Sequence, residues 1–180
     1  MWGSVDVEIV RELDPAGIGP FENADAKDGI LLNHDYVDMR GYSIADAREV
    51  VAEEAQLLDD IEAIGADDDR LNELLERLYE DASELSGFDV GTAGAIFALS
   101  AAGAAPISSC NGGLLGDTSH SSQVPHILFS VVRDRLKPIL AAAEAADVGL
   151  LNNSGHVEVF ANRVPGLHTF AKQLLHRLEQ

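Results

Sequence analysis

The chain has 180 residues, about the length of one domain, and 46% of them are hydrophobic, which is ordinary for a globular protein. It carries 31 acidic and 12 basic residues, so its formal net charge is −19. This charge repels phosphate backbones and anionic membrane surfaces, which argues against nucleic-acid and lipid partners. We therefore expect one acidic, soluble domain that spans residues 1–180, and we leave homo-oligomers open.

The cysteine content and the N-terminus predict a cytoplasmic protein. Cys110 is the only cysteine, so no disulfide can form within the chain and a secreted disulfide scaffold is excluded. The first residues lack a basic stretch followed by an apolar one, so we expect no signal peptide. Residues 90–116 carry no charge, but they are mostly Ala, Gly and Ser, and Gly103 and Pro106 interrupt them. We therefore expect no membrane span there.

A strand and a long loop are predicted at the N-terminus. Hydrophobic and acidic residues alternate from Val5 to Ile9, which is the period of a half-buried strand. Residues 14–29 contain two prolines and several glycines among scattered acids, which predicts a long loop. A short apolar run at 30–32 then leads into the polar residues 33–38.

Three helices are predicted next, two amphipathic and one apolar. Ser43 is a suitable N-cap for a helix that runs to about Ile64. A second helix begins near Asp67 or Asp68 and carries its leucines on one face over 71–85, so the two helices are expected to form an antiparallel hairpin. The third, over 90–102, is small or apolar all round and should be buried on most sides.

The C-terminal half has the pattern strand–strand–helix–strand–strand–helix. Strands are expected at 105–109, 126–132, 148–151 and 156–160, and helices over 135–146 and from Pro165 onward. His168, Lys172 and His176 lie four residues apart in the last helix, which predicts a solvated polar face. The whole pattern indicates an α/β domain, with α+β as the alternative, in which a mixed sheet is combined with an N-terminal helical hairpin.

A glycine-rich segment from Ser108 to His120 follows the first strand of this half and is the predicted functional site. Its glycines let backbone amides approach a ligand, and consecutive N–H groups can bind an anion. The alternative is a turn whose Ser and Asn side chains bond only to their own backbone. The residues expected to bind a ligand are Ser108, Ser109, Asn111, Gly112 and Gly113, completed by His34 and Asp38 of the N-terminal segment.

Cys110, His120 and Asp117 are the residues expected to carry any catalysis in this segment. A thiolate nucleophile needs a nearby base, which His120 or His126 could supply. A buried, unreactive thiol is nevertheless the commoner role of a single intracellular cysteine. The same residue types, together with segment 33–38, could ligate a metal, but no spacing among them is diagnostic. We therefore assign no metal site, and the cofactor is unknown.

The run Ser108-Ser109-Cys110-Asn111-Gly112-Gly113, followed by a histidine, a proline-bearing strand, a helix and two strands, resembles the wybutosine-pathway tRNA methyltransferases. Those proteins carry Ser-Ser-Cys-Ser-Gly-Arg at the corresponding place, so Asn111 replaces a serine and Gly113 an arginine. The likeness covers about the C-terminal third of the chain. It implies a tRNA-modifying function, for which the acidic charge has the wrong sign.

These patterns leave three functions open. The first is binding of a small molecule or anion at the glycine-rich segment, with or without catalysis. The second is a non-catalytic protein-interaction domain that uses the acidic helices, and the third is a tRNA-modification domain. Polar groups clustered around a concave pocket would favour the first function, and a large exposed apolar face would favour the second.

The net charge predicts that the protein does not bind generic RNA or DNA at physiological salt. We expect no gel shift of mixed tRNA or duplex DNA at micromolar protein. Binding that strengthens as salt is lowered would contradict this prediction and would favour the tRNA-modification function.

Overall fold

The computed structural model describes residues 2–19, 38–80, 85, 87–113 and 122–180, and in these ranges it has five α-helices and a five-stranded mixed sheet. This confirms the expected α/β fold. The strands are β1 (Arg11–Glu12), β2 (Ala105–Cys110), β3 (His126–Ser130), β4 (Gly149–Asn153) and β5 (His156–Phe160). The helices are α1 (Ile44–Ile64), α2 (Asp68–Glu80), α3 (Ala93–Ala101), α4 (Leu136–Ala146) and α5 (Val164–Leu178).

The sheet has the strand order β1-β4-β5-β3-β2. Only the β1–β4 pair is parallel; the other three pairs are antiparallel, so the C-terminal strands form an antiparallel unit with one short parallel strand added at its edge. Ser154 and Gly155 connect β4 to β5 with positive φ angles of 53° and 88°. Two such residues match the twist of a two-residue hairpin, which is why the turn-forming residues before β5 give an adjacent pair of strands.

The strand expected at Val5–Ile9 is wrong in its position. These residues keep the alternating exposure that the sequence predicts, but the first residues that pair in the sheet are Arg11 and Glu12, beside β4. The backbone N–H of Val5 instead donates to the carbonyl of Asn162, which precedes α5. Alternation reports that one side of a segment faces the protein; it does not report whether a neighbouring strand lies within hydrogen-bonding reach.

Helix α1 begins and ends where its sequence signals lie, and α2 begins where its signal lies. The Ser43 hydroxyl accepts a hydrogen bond from the Asp46 amide, and the Asp46 side chain accepts one from the Ser43 amide, which forms a capping box at the start of α1. Gly65, with φ of 70°, ends that helix. The Asp67 carboxylate accepts the Arg70 amide at the start of α2. Among the described residues, no helix is long and apolar enough to cross a membrane.

Helix α3 is buried on all sides, as expected, because it packs against α1, α5 and β2. All eight residues from Ala93 to Ser100 are buried. The helix starts at Ala93 and not at Val90, because Gly91 has a φ of +85°, which is incompatible with a right-handed helix and favours glycine. A side chain at Gly91 would also overlap Val164 of α5. Small residues therefore let three elements approach this helix closely.

The two faces of the sheet have different surroundings. One face belongs to the main hydrophobic core, which it shares with side chains from the helices. Its fully buried residues are Ile127, Phe129, Leu150, Val157 and Val159. The opposite face, here called the outer face, is partly exposed. Strand register and alternation assign to it Ser108, Cys110, His126, Leu128, Ser130, Leu151, His156, Glu158 and Phe160.

A buried polar cluster of Glu54, Gly94 and His168 joins three helices. Glu54 of α1 is 1% exposed, and its Oε1 accepts a hydrogen bond of 3.1 Å from the amide of Gly94 in α3. Its Oε2 lies 2.8 Å from Nδ1 of His168 in α5. The solvated position expected for His168 is therefore wrong: the residue is 7% exposed, because α1 and α3 pack against this helix.

Replacing Gly94 with Ala should destabilise the protein, although Ala favours a helix over Gly by about 1 kcal/mol. The added Cβ would lie 2.5 Å from Glu54 Oε2 and 3.1 Å from Val51 Cγ2. We expect a net loss of ~1–3 kcal/mol in the free energy of unfolding, measured by urea denaturation.

The same substitution in a Glu54→Ala background is the control, because it removes the carboxyl group that the Cβ would meet. Gly94→Ala should cost less there. An equal loss of unfolding free energy in both backgrounds, or no loss in the parent, would show that a side chain at position 94 does not clash with Glu54.

Candidate functional site

The described part of the predicted glycine-rich site lies where β2 ends and β3 begins. The antiparallel register places Cys110 opposite His126 and Ser108 opposite Leu128. Because directly opposed residues share a face, Ser108, Cys110 and His126 lie together on the outer face. We call residues 108–113 and 122–128 the β2–β3 corner.

The structure separates the two adjacent serines. Ser108 is on the outer face, whereas Ser109 pairs with Ile127 of the buried face and its hydroxyl lies 3.5 Å from that of Thr92, before α3. Asn111 is 4% exposed, and its backbone N–H donates to the carboxylate of Asp89 at 3.1 Å. Ser109 and the Asn111 backbone therefore join β2 to the start of α3, and Ser108 is the serine that faces the site.

Gly112 and Gly113 form a tight turn with φ angles of 77° and 65°. The Gly112 amide donates to Cys110 Sγ at 3.3 Å, and the Gly113 amide donates to Asn111 Oδ1 at 3.0 Å. Both N–H groups expected to bind an anion thus already have partners inside the turn. Anion binding by these amides stays a prediction, and it requires both hydrogen bonds to open.

Gly112 also positions the corner by its lack of a side chain. A Cβ at this residue would lie 3.0 Å from both the Gln123 carbonyl oxygen and the Pro125 nitrogen. The turn after β2 therefore packs directly on the backbone that leads into β3. This contact brings Cys110 and His126 to the same place, although 15 residues of sequence lie between them.

The thiol of Cys110 is buried, with 7% of the residue exposed. Burial raises the pKa of Cys110 above its ordinary value, and the negative charge of Asp89 adds to the rise. Hydrogen bonds from the amides of Gly112, Ser122 and Gly113 lower the pKa without offsetting the burial. Cys110 is therefore a neutral thiol at neutral pH, which favours a packing or binding role over a nucleophilic one.

The residues that lead into β3 hold His126 in one tautomer. Its Nδ1 lies 2.9 Å from the carbonyl oxygen of Val124, which can only accept, so Nδ1 carries the proton and donates. The Ser122 hydroxyl donates to the same carbonyl and accepts from the Val124 amide, which fixes the segment. Nε2 is then the ring nitrogen of His126 that is available to a ligand on the outer face.

Two further polar pairs lie on or beside the outer face, and the sequence did not indicate them. Ser130 Oγ and His156 Nδ1, on neighbouring strands, are 2.8 Å apart. The Asn153 side-chain amide donates to Glu158 at 2.8 Å. The alternating polar residues along 156–160 indicate that one face of β5 is polar. They do not indicate that β5 pairs with β3, which requires the strand order.

Of the remaining predicted site residues, the structure describes only Asp38. Asp38 is exposed and binds Arg40 through a two-point contact of 2.7 and 2.5 Å. This hydrogen bonding to Arg40 lowers the pKa of Asp38. His34, Asp117 and His120 lie outside the described residues, so their roles stay predictions. Within the described ranges, no group of three or more His, Cys, Asp or Glu side chains could hold a metal ion.

Comparisons of this chain with protein-family models, with curated proteins and with solved structures find no match. The resemblance to the wybutosine-pathway methyltransferases gains no support from them.

The raised pKa of Cys110 predicts slow alkylation by iodoacetamide at neutral pH, because the thiolate is the reacting species. The pH at which the alkylation rate reaches half its maximum should be higher in the folded protein than in the urea-unfolded chain. Since this is the only cysteine, mass spectrometry reads the rate without ambiguity. A folded midpoint at or below the unfolded one would show a stabilised thiolate and would support catalysis.

Proposed function

We propose that this protein binds a small polar molecule on the outer face of its sheet, at the β2–β3 corner. The observation that carries the proposal is the cross-strand placement of Cys110 and His126, with Nε2 of His126 left for a ligand by the bond from Nδ1 to Val124. Ser108 adds a hydroxyl on the same face, because it lies two residues before Cys110 in β2.

The charges around the corner favour a neutral or cationic ligand that donates hydrogen bonds. Glu158 lies on the outer face, opposite Leu128, which is itself opposite Ser108. Asp89 accepts the Asn111 amide beside the corner. The acceptors on the outer face are thus the Ser108 hydroxyl, His126 Nε2 and the Glu158 carboxylate, which also accepts from Asn153, whereas the amides of the glycine turn are already bonded. Amines, polyols and nucleosides have the complementary donors.

A binding role accounts for the corner better than the two other functions. The described residues expose only two large hydrophobic side chains, Val132 and Leu140, at 41% and 37%, so they offer no wide apolar surface for a protein partner. The acidic charge opposes tRNA. A catalytic version needs a group that ionises Cys110, although burial raises the pKa of this thiol. The cytoplasmic location expected from the composition stays a prediction.

The test is an NMR screen of the ¹⁵N-labelled protein with a panel of amines, polyols and nucleosides. We expect saturable shifts of the backbone amides of Ser108, Gly113 and His126. Because one neutral hydrogen bond contributes about 0.5–1.5 kcal/mol, His126→Ala should weaken binding by up to about tenfold.

His176→Ala is the matched control, because His176 is an exposed histidine on α5 and away from the corner. It should leave the affinity unchanged. Binders whose shifts avoid the corner, or equal losses in both variants, would refute the proposed site.

A further inference from the structure

A cleft opens between the first turn of α4 and the last turn of α5, on the helical side of the sheet. Its volume is about 370 Å³, and it is lined by Lys137, Pro138, Ala141, Arg177, Leu178 and Gln180. Ligand pockets in proteins commonly measure about 300–1,000 Å³, so this cleft suits a small metabolite and not a dinucleotide.

The cleft is lined by two cationic side chains and by no acidic side chain, in a protein with 31 acidic residues. Lys137 and Arg177 form no ion pair with any carboxylate of the described residues. The nearest acid along the chain, Glu179, is itself paired with Arg48 of α1. The positive charge of the cleft is therefore not neutralised by the side chains around it.

The guanidinium of Arg177 lacks a partner at one atom. Its Nε is buried and forms no hydrogen bond within the described structure. A buried N–H without an acceptor is destabilising, and the fork of a guanidinium matches the two oxygens of a carboxylate or phosphate. Arg177 lines the cleft, so the terminal nitrogens of its guanidinium are the groups that an anion in the cleft would meet.

The charge of the sequence segment that forms the cleft favours an anion more than the charge of the preceding segment does. Residues 1–132 contain six bases and 26 acids, whereas residues 133–180 contain six bases and five acids. The segment that forms α4 and α5 thus lacks the repulsion that the rest of the chain exerts on anions. Pro138, Ala141 and Leu178 add apolar surface for a short hydrocarbon part of the ligand.

We propose that this cleft is a second binding site, separate from the β2–β3 corner, and that it takes a small organic anion of the carboxylate or phosphate class. The guanidinium of Arg177 binds two oxygens of the anion, and the ammonium of Lys137 contributes the second positive charge. The apolar side chains contact the carbon skeleton.

The test follows the Nε–H resonance of Arg177 in ¹⁵N-labelled protein during titration with inorganic phosphate and, separately, with succinate. Sodium chloride keeps the ionic strength constant. We expect a saturable shift with at least one probe, and the tighter one identifies the anion class. Since a charge-assisted hydrogen bond contributes about tenfold or more in affinity, Lys137→Gln and Arg177→Gln should each weaken binding about tenfold.

Arg163→Gln is the control, because it removes the same charge from an exposed position at the other end of α5. It should leave the affinity within about twofold, a difference of only about 0.4 kcal/mol by the usual conversion. Lys137 is exposed, so its variant stays informative if Arg177→Gln fails to fold. An equal loss in all three variants, or no saturable shift with either probe at millimolar concentration, overturns the proposal.

Discussion

Glu54 carries its carboxyl group into the space between α1, α3 and α5, and the arrangement of the helical layer depends on the two contacts that it makes there. The N-cap residue of α3, Thr92, makes no capping bond; its hydroxyl donates instead to the Asp89 carbonyl at 2.7 Å. Glu54 takes over that role by accepting the Gly94 amide in the first turn of α3. An acceptor at this end also interacts favourably with the helix dipole.

The contact between His168 and the other oxygen of Glu54 extends this constraint to α5. Removing one member of a buried polar pair leaves the other without a partner, which typically costs several kcal/mol, about 3–5 when the pair is ionised. Both contacts require glycine at position 94, since any side chain there would displace the carboxyl group of Glu54. The three helices are thus held in one relative position, and the sheet packs on the layer that they form.

The helices lie on one face of the sheet, and the outer face stays partly exposed. The buried face carries apolar side chains, whereas on the outer face histidines, serines and Glu158 lie among apolar residues such as Leu128 and Phe160. At the β2–β3 corner, Gly112 packs on the backbone before Pro125, and the Val124 carbonyl orients His126. Rigid backbone contacts, and not long flexible side chains, bring these groups together.

The sequence by itself determined the α/β class, the capped ends of α1, the burial of α3 and the glycine-rich turn after β2, because each depends on local chemistry or on the period of apolar residues. Strand pairing, which depends on contacts distant along the chain, was decided by the tertiary structure. It moved the N-terminal strand to Arg11–Glu12 and set His126 beside Cys110. The structure also places Ser108 and Ser109 on opposite faces of the sheet. Tertiary structure also decided that His168 and Glu54 form a buried pair. The sequence predicts that polar residues are solvated, and only the packing of a second helix shows that they are covered.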